Sequence, residues 1–198
     1  MGFEPIRTER LILRAPRLSD ADAAYARRSL PEVARYQDWE MPYTRERAEQ
    51  SVADAVALGG PVDGEGWNVT VVDAAAPDVI LGDVYVGLSW GSRCGSFGYT
   101  FHPDHWGRGY ATEAAQAIVG YLFTELGVRR VQASLHPDNL PSARVLEACG
   151  LVFEGLASSR SGSATCAPTT CCTARPAPIG SRGETVPGTG RRGSSWCP

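Results

Sequence analysis

Short apolar runs alternate with amphipathic stretches along most of the chain, and their order predicts a mixed α/β domain. The runs typical of strands lie at residues 11–13, 67–72, 79–88, 96–101, 131–135 and 151–153. The stretches with helical spacing lie at residues 22–30, 45–58, 110–126 and 139–149. Because turn residues separate the three central strands, we expect those strands to pair antiparallel. The predicted order is β-α-α-β-β-β-α-β-α-β.

The last part of the chain breaks this pattern. Residues 157–198 carry 5 Arg and one acidic residue, whereas residues 1–156 carry 14 Arg and 21 acidic residues. Gly, Pro, Ser and Thr supply 24 of these 42 residues, and large apolar side chains are scarce. Such a segment cannot bury enough apolar surface to offset its ordering entropy. We therefore predict a folded domain over residues 1–156, a disordered tail over residues 157–198, and no strand after Phe153.

Charge and cysteine usage exclude several classes of function. The net charge of −3 gives no reason to expect a nucleic-acid partner. Neither a long apolar run nor an apolar leader is present, so we expect no membrane span and a cytoplasmic protein. Cys166, Cys171 and Cys172 lack the paired spacing of a metal site, and the absent leader argues against a disulfide framework.

One turn carries the clearest chemical signal. The residues Gly107-Arg108-Gly109-Tyr110-Ala111-Thr112 lie between a predicted strand and a predicted helix. Small residues allow a tight turn and a close approach to a ligand, and the free N–H groups of a helix start attract an anion. By itself this pattern fits an anion site and a plain helix start equally well.

Longer strings around this turn resemble the GNAT acetyltransferase superfamily. They are TERLILRAPRLSDADA, FGYTFHPDHWGRGYATEA and HPDNLPSARVLEACGLVFEG, and the resemblance covers about residues 6–156. It is closest to the group that acetylates the N-termini of ribosomal proteins. The resemblance implies the GNAT fold, in which a mixed, mostly antiparallel sheet splays at the acetyl-CoA site and carries helices on both faces. The final β-hairpin of that fold is not evident in this chain.

The resemblance also implies a set of cofactor residues. Acetyl-CoA would bind its pyrophosphate on the backbone N–H groups of Gly107 to Thr112, and no metal is needed. Its pantetheine arm would lie between the strand ending at Phe101 and the strand at 131–135. Asn139 matches a position whose side chain touches the cofactor, and Ser142 matches the hydroxyl that protonates the departing thiolate.

The acceptor side is less fully specified. The resemblance implies an amine acceptor, and Tyr36 and Trp39, with Tyr43, fall in the connection that lines the acceptor site or packs the core. Ser96 or Phe97 stands where many relatives place a glutamate base. Two alternatives stay open: an acetyltransferase of a small-molecule amine, and a non-catalytic remnant of the fold.

Three further side chains have structural interpretations. Glu113 at the helix start is expected to complement the helix dipole, and His136 is expected to be packed or solvated. Trp106 stands where the cofactor motif usually begins with Gln or Arg. We expect this replacement to remove only one side-chain contact with the cofactor.

The composition of the tail suggests a shifted reading frame. All 19 basic residues are Arg, which indicates a GC-rich gene. One base back, the codons of Cys171 and Cys172 can encode only Leu, Met or Val, and residues 159–182 can be read as ESFWIRDVCADDLLYGPARADWIA, with DDLLYG as a final strand. We hypothesise a frameshift near Ala157, with a genuine disordered tail as the alternative. If the chain is made as written, we expect an exposed edge on the strand at 131–135 and weakened stability.

Overall fold

The computed structural model describes residues 2–157 and 169–174. The strands are β1 (Ile6–Arg7), β2 (Leu11–Arg14), β3 (Gly66–Asp73), β4 (Ile80–Ser89), β5 (Cys94–Phe101), β6 (Arg130–Leu135), β7 (Val152–Ala157) and β8 (Thr169–Ala174). The helices are α1 (Ala21–Arg28), α2 (Pro31–Ala34), α3 (Arg45–Leu58), α4 (Tyr110–Thr124) and α5 (Leu140–Ala148). The predicted elements are present with small shifts of their ends, and the prediction missed β1, α2 and β8.

All the described strands join one sheet in the order β1-β2-β3-β4-β5-β6-β8-β7. Neighbouring strands pair antiparallel except β5 and β6, which are parallel. The expected mixed, mostly antiparallel sheet is therefore confirmed.

The two faces of the sheet differ in chemistry. One face carries valine and aromatic side chains that pack against the apolar sides of α4 and α5. Representatives of this core are Val69, Val84, Phe97, Ile118 and Leu146. The opposite face lies under α1 and α3 and carries buried polar residues in one row across the sheet, because Thr70 pairs with Asp83 and Asp83 pairs with Thr100. We call these the apolar face and the polar face.

Strand β8 corrects the prediction for the C-terminal segment. Thr169–Ala174 pairs with β6 on one side and with β7 on the other. The final hairpin is thus present, and the expectation of an exposed outer edge on residues 131–135 is wrong. The average composition of residues 157–198 concealed a six-residue run without Gly or Pro, and three threonines favour the extended chain. Cys172 is 2% exposed and belongs to the core of the apolar face. The rest of the predicted disordered tail lies outside the described residues.

Candidate active site

The site begins where two parallel strands part. Strands β5 and β6 pair from Cys94 and Arg130 to Ser96 and Gln132. Beyond this point β5 continues to Phe101 and β6 continues to Leu135 without pairing to each other. The separation leaves a gap in the sheet, as predicted for strands 96–101 and 131–135.

Backbone groups of β5 point into this gap. His102 N–H donates to Leu81 O across the β4–β5 pair at 3.0 Å. Since backbone direction alternates along an antiparallel strand, Tyr99 and Phe101 direct their N–H and C=O groups to the opposite side, toward the gap. Trp106 Nε1 donates to Phe101 O at 2.9 Å and so uses one of these groups. The Tyr99 N–H and C=O and the Phe101 N–H are positioned to pair with an extended ligand.

The glycine-rich turn follows the end of β5. Gly107 and Gly109 have φ values of 71° and 80°, in the left-handed region that favours glycine. Gly109 is the N-cap of α4 and, as glycine, has no side chain that could cap the helix. The N–H groups of Tyr110, Ala111 and Thr112 have no acceptor within the helix, so they are directed at any anion bound to the turn. The turn therefore has the backbone geometry that an anion site requires, and anion binding by it stays a prediction.

The β1–β2 turn holds this glycine turn in place. Arg10 Nη1 donates to Arg108 O at 2.9 Å, and its Nε donates to Glu113 Oε2 at 2.7 Å. Thr8 Oγ1 and the Arg10 backbone N–H donate to the other Glu113 oxygen at 2.6 and 2.9 Å. Partial burial would raise the pKa of Glu113, but these bonds lower it below its ordinary value. Glu113 thus joins two segments of the chain at the start of α4.

Helix α5 forms the other wall of the site. Asn139 caps it, because its side chain accepts from Ser142 N–H at 3.3 Å. Tyr99 reaches across from β5 and donates its hydroxyl to Ser142 O at 3.4 Å. Burial raises the pKa of Tyr99 to about 12, so the phenol stays protonated at neutral pH and can donate this bond. Asn139, Ser142 and β5 therefore meet on one side of the gap.

Of the predicted acceptor residues, Tyr36 lies beside the gap, whereas Trp39 packs against a small apolar cluster between α1 and α3. Tyr36 packs on His136 at the end of β6, with ring centroids 5.3 Å apart. Trp39 packs edge-on against Tyr43 at 5.7 Å. His136 Nδ1 accepts a hydrogen bond from Asp138 N–H. Together with the ring contact to Tyr36, this bond fits the expectation that His136 is packed. The connection after α2 thus borders the far strand of the gap.

The sequence prediction missed the charged groups of the polar face. Arg27 and Arg28 at the end of α1 both bond to Asp83 on β4. Burial would raise the pKa of Asp83, but the two arginines lower it below its ordinary value, which makes Asp83 a weak base. Ser96, in the expected base position, donates to Gly87 O at 3.4 Å. The signal available in the sequence was Asp83, a charged residue within the largely apolar strand β4, which indicates a buried ion pair.

Other chemistries find little support in the described residues. They contain no group of three or more His, Cys, Asp or Glu side chains able to hold a metal ion. None of the helices in residues 2–157 is long and apolar enough to cross a membrane. Burial raises the pKa of the Cys149 thiol to about 11, as expected for an unreactive cysteine.

Comparison with known proteins agrees with this geometry. The family model described as acetyltransferase (GNAT) domain matches residues 10–152. The uncharacterized N-acetyltransferase YnaD of Bacillus subtilis is 32% identical over 150 residues, which are 76% of this chain and 84% of that protein.

Solved structures share the fold. The ribosomal-protein-S5-alanine acetyltransferase of Vibrio fischeri superposes with a TM-score of 0.72 at 21% identity, covering 87% of this chain and 97% of that one. The spermidine N-acetyltransferase of Vibrio cholerae, in complex with CoA and spermine, gives a TM-score of 0.71 at 19% identity, covering 85% and 96%. At these identities the likeness shows a common fold.

Proposed function

This chain belongs to the GNAT acetyltransferase family, and from that premise we propose that it transfers the acetyl group of acetyl-CoA to the N-terminal amine of a polypeptide. The observation that carries the proposal is the gap between β5 and β6. One end of the gap meets the glycine turn at Gly107–Thr112, and its side walls present free backbone groups of Tyr99 and the start of α5 at Ser142. An extended thioester with a pyrophosphate at one end fits this sequence of contacts.

Each part of the site has a distinct task in the proposed reaction. The turn N–H groups of Gly107 to Thr112 bind the pyrophosphate. The backbone groups of Tyr99 and Phe101 pair with the amides of the pantetheine arm, as an added strand would. Asn139 orients the start of α5 and thereby the Ser142 hydroxyl.

The chemical step needs no metal or covalent enzyme intermediate. The acceptor amine loses its extra proton to water and attacks the thioester carbonyl carbon, so that a C–N bond forms. N–H groups of β5 stabilise the carbonyl oxygen as negative charge develops. The C–S bond then breaks, Ser142 donates a proton to the thiolate, and the serine recovers a proton that the amide nitrogen releases through water. The products are an acetamide and CoA with a free thiol. Because the reaction consumes acetyl-CoA, we expect the protein to act in the cytoplasm, where acetyl-CoA is available.

The acceptor is the finer part of the proposal. Tyr36 lies beside His136 at the end of β6, and Trp39 lies beside Tyr43 and Arg28 on the polar face; both would contact the acceptor. A polypeptide N-terminus is favoured by the shared fold of the ribosomal-protein-S5-alanine acetyltransferase, and a small-molecule amine by that of the spermidine N-acetyltransferase. A thiol-release assay with acetyl-CoA and a panel of peptides, amino acids and polyamines tests the choice. We expect release to depend on peptide, and release with polyamines alone would contradict the proposal.

The Ser142→Ala variant tests the proposed proton donor. The contacts that Ser142 makes with Tyr99 and Asn139 use backbone atoms, so alanine preserves them. We expect kcat to fall about 100-fold while the dissociation constant of acetyl-CoA stays unchanged, because only the proton donor is lost. Steady-state kinetics and calorimetric titration separate the two quantities. Ser29→Ala, at the end of α1, is the matched control, and an unchanged kcat in Ser142→Ala would remove Ser142 from the chemistry.

A further inference from the structure

Arg28 is held more loosely than the neighbouring Arg27. Arg27 has a side chain 3% exposed and forms a close ion pair with Asp83. Arg28 has a side chain 11% exposed, and its bond to Asp83 measures 3.1 Å. Its other partners are neutral oxygens of Tyr43, Ser51 and Asn68 at 3.2 to 3.5 Å. Long bonds to neutral partners are weak, so a carboxylate from outside could replace them with stronger charge-assisted bonds.

The polar face carries an excess of positive charge around Arg28. Asp20 is already paired with Arg14 at 2.8 Å. Asp83 then has to balance both Arg27 and Arg28. Three guanidinium groups, those of Arg14, Arg27 and Arg28, thus share the two carboxylates, and a buried charge is costly unless it is paired.

Unused hydrogen-bond donors lie in the same place. The Nε atoms of Arg27 and Arg28 are buried and have no hydrogen-bond partner among the described residues. The same holds for Trp39 Nε1. The Arg28 guanidinium lies 5.5 Å from the centre of the Trp39 ring, so these donors belong to one cluster. A cluster of N–H donors with a spare positive charge is complementary to an anionic oxygen acceptor.

A row of residues connects this cluster to the gap. Asn68 pairs with Tyr85 on β4, and Tyr85 pairs with Gly98 on β5. Arg28 bonds to Asn68 and Asp83 and therefore lies between β3 and β4. From there to the gap beyond β5 is about two strand spacings, roughly 10 Å. A hydrogen bond from Arg28 to the carboxylate takes up about 3 Å of this distance, so some 6–7 Å separate the bound carboxylate from an amine in the gap.

We propose that Arg28, with the indole N–H of Trp39, binds a carboxylate carried by the acceptor, and that the preferred acceptor is a peptide with an acidic side chain close to its N-terminus. The inference rests on the proposed function, because it assigns the acceptor of that same site. An acidic side chain in the first residues of an extended peptide covers the required span. The carboxylate of a free α-amino acid lies one carbon from its amine and falls short. A polyamine would place positive charge against Arg28.

The test compares paired acceptors that differ only in this charge. Peptides beginning Ser-Glu and Ser-Gln are assayed with acetyl-CoA by thiol release, together with a free amino acid and its carboxamide. We expect the Ser-Glu peptide to have a kcat/KM about tenfold or more above that of the Ser-Gln peptide, because a charged hydrogen bond is lost in the second. The free amino acid and its carboxamide are expected to differ little, and a preference confined to that pair would identify an amino-acid acceptor and overturn the proposal.

Two variants and one control assign the preference to Arg28. In Arg28→Gln the Glu/Gln ratio should approach one, and in Trp39→Phe, which keeps an aromatic ring but loses the N–H donor and part of the ring system, it should fall a few-fold. Arg129→Gln removes an exposed arginine elsewhere and should leave the ratio unchanged. An unmodified protein without preference, or variants that all retain it, would overturn the proposal. Absence of release with every amine would instead contradict the proposed function itself.

Discussion

The two faces of the central sheet use the same strands for different purposes. The apolar face buries valine, leucine and aromatic side chains against α4 and α5. These are all non-directional apolar contacts, so none of them needs a particular partner. The polar face places Asn68, Thr70 and Asp83 under α1 and α3, where each group depends on a particular partner. One face thus stabilises the fold, and the other carries the buried charges to which we assign recognition of the acceptor in our proposal.

The comparison predicts the largest loss of stability at Asp83. Asp83→Asn removes the carboxylate that balances Arg27 and Arg28 and leaves two buried guanidinium groups without it. We expect the free energy of unfolding to fall by about 3–5 kcal/mol, measured by urea denaturation. Asp22→Asn is the matched control, because Asp22 pairs with Arg45 but is 79% exposed. Equal effects of the two substitutions would show that the polar face has no special dependence on its charges.

The same carboxylate predicts a dependence on pH. The folded-state pKa of Asp83 lies below the ordinary value of 3.8, so its contribution is complete above that value. The contribution is lost as the pH falls through the folded-state pKa, because the protonated group no longer pairs with the arginines. Unfolding curves at several acidic pH values should therefore show a smaller loss of stability in Asp83→Asn than in the unmodified chain. A parallel loss in both proteins would contradict this assignment.

A smaller effect is expected at the glycine turn, where α4 of the apolar face begins. Gly109→Ala forces a side chain into left-handed backbone at φ 80°, where its Cβ would lie 3.4 Å from Arg10 Nη2. The strain turns the N–H groups away from the pyrophosphate, and we expect acetyl-CoA to bind about tenfold more weakly by calorimetry. Gly127→Ala carries similar strain at φ 63° after α4 and should leave the affinity unchanged. Equal affinities in both variants would show that the turn does not bind the cofactor.

The smallest effect concerns Cys172 on the apolar face. The shifted reading places DDLLYG on residues 169–174, which are the residues of β8, and puts leucine at position 172. We propose that this strand position suits a larger apolar side chain. Cys172→Val should leave the free energy of unfolding unchanged or raise it slightly, whereas Cys172→Ser should lower it by about 1–3 kcal/mol through burial of a hydroxyl. A clear loss in Cys172→Val would count against the shifted frame.

The sequence was sufficient for features with local causes. The turn at Gly107–Thr112 and the cap at Asn139 follow from glycine conformation and helix-start chemistry, whereas the gap between β5 and β6 was implied by the family resemblance. Features with distant causes were not predictable. Arg28 and Asp83 are 55 residues apart in the chain, so nothing local marks their pairing.

Strand β8 shows a second kind of limit. The composition averaged over residues 157–198 predicted disorder. A short segment within that range nevertheless forms a strand, because it pairs with the edge of the sheet. The unpaired backbone of β6 accepts Thr169–Ala174 as a neighbour, and pairing satisfies groups on both strands. A segment with weak intrinsic preference can thus take its structure from its partner.

The most direct test of the account is the site of acetylation on one peptide. A peptide with a free N-terminal amine, glutamate as its second residue and a lysine further along is incubated with acetyl-CoA and the protein, and the product is fragmented in a mass spectrometer. We expect one acetyl group, located on the N-terminal nitrogen. An unmodified peptide, or acetylation confined to the lysine side chain, would contradict the account.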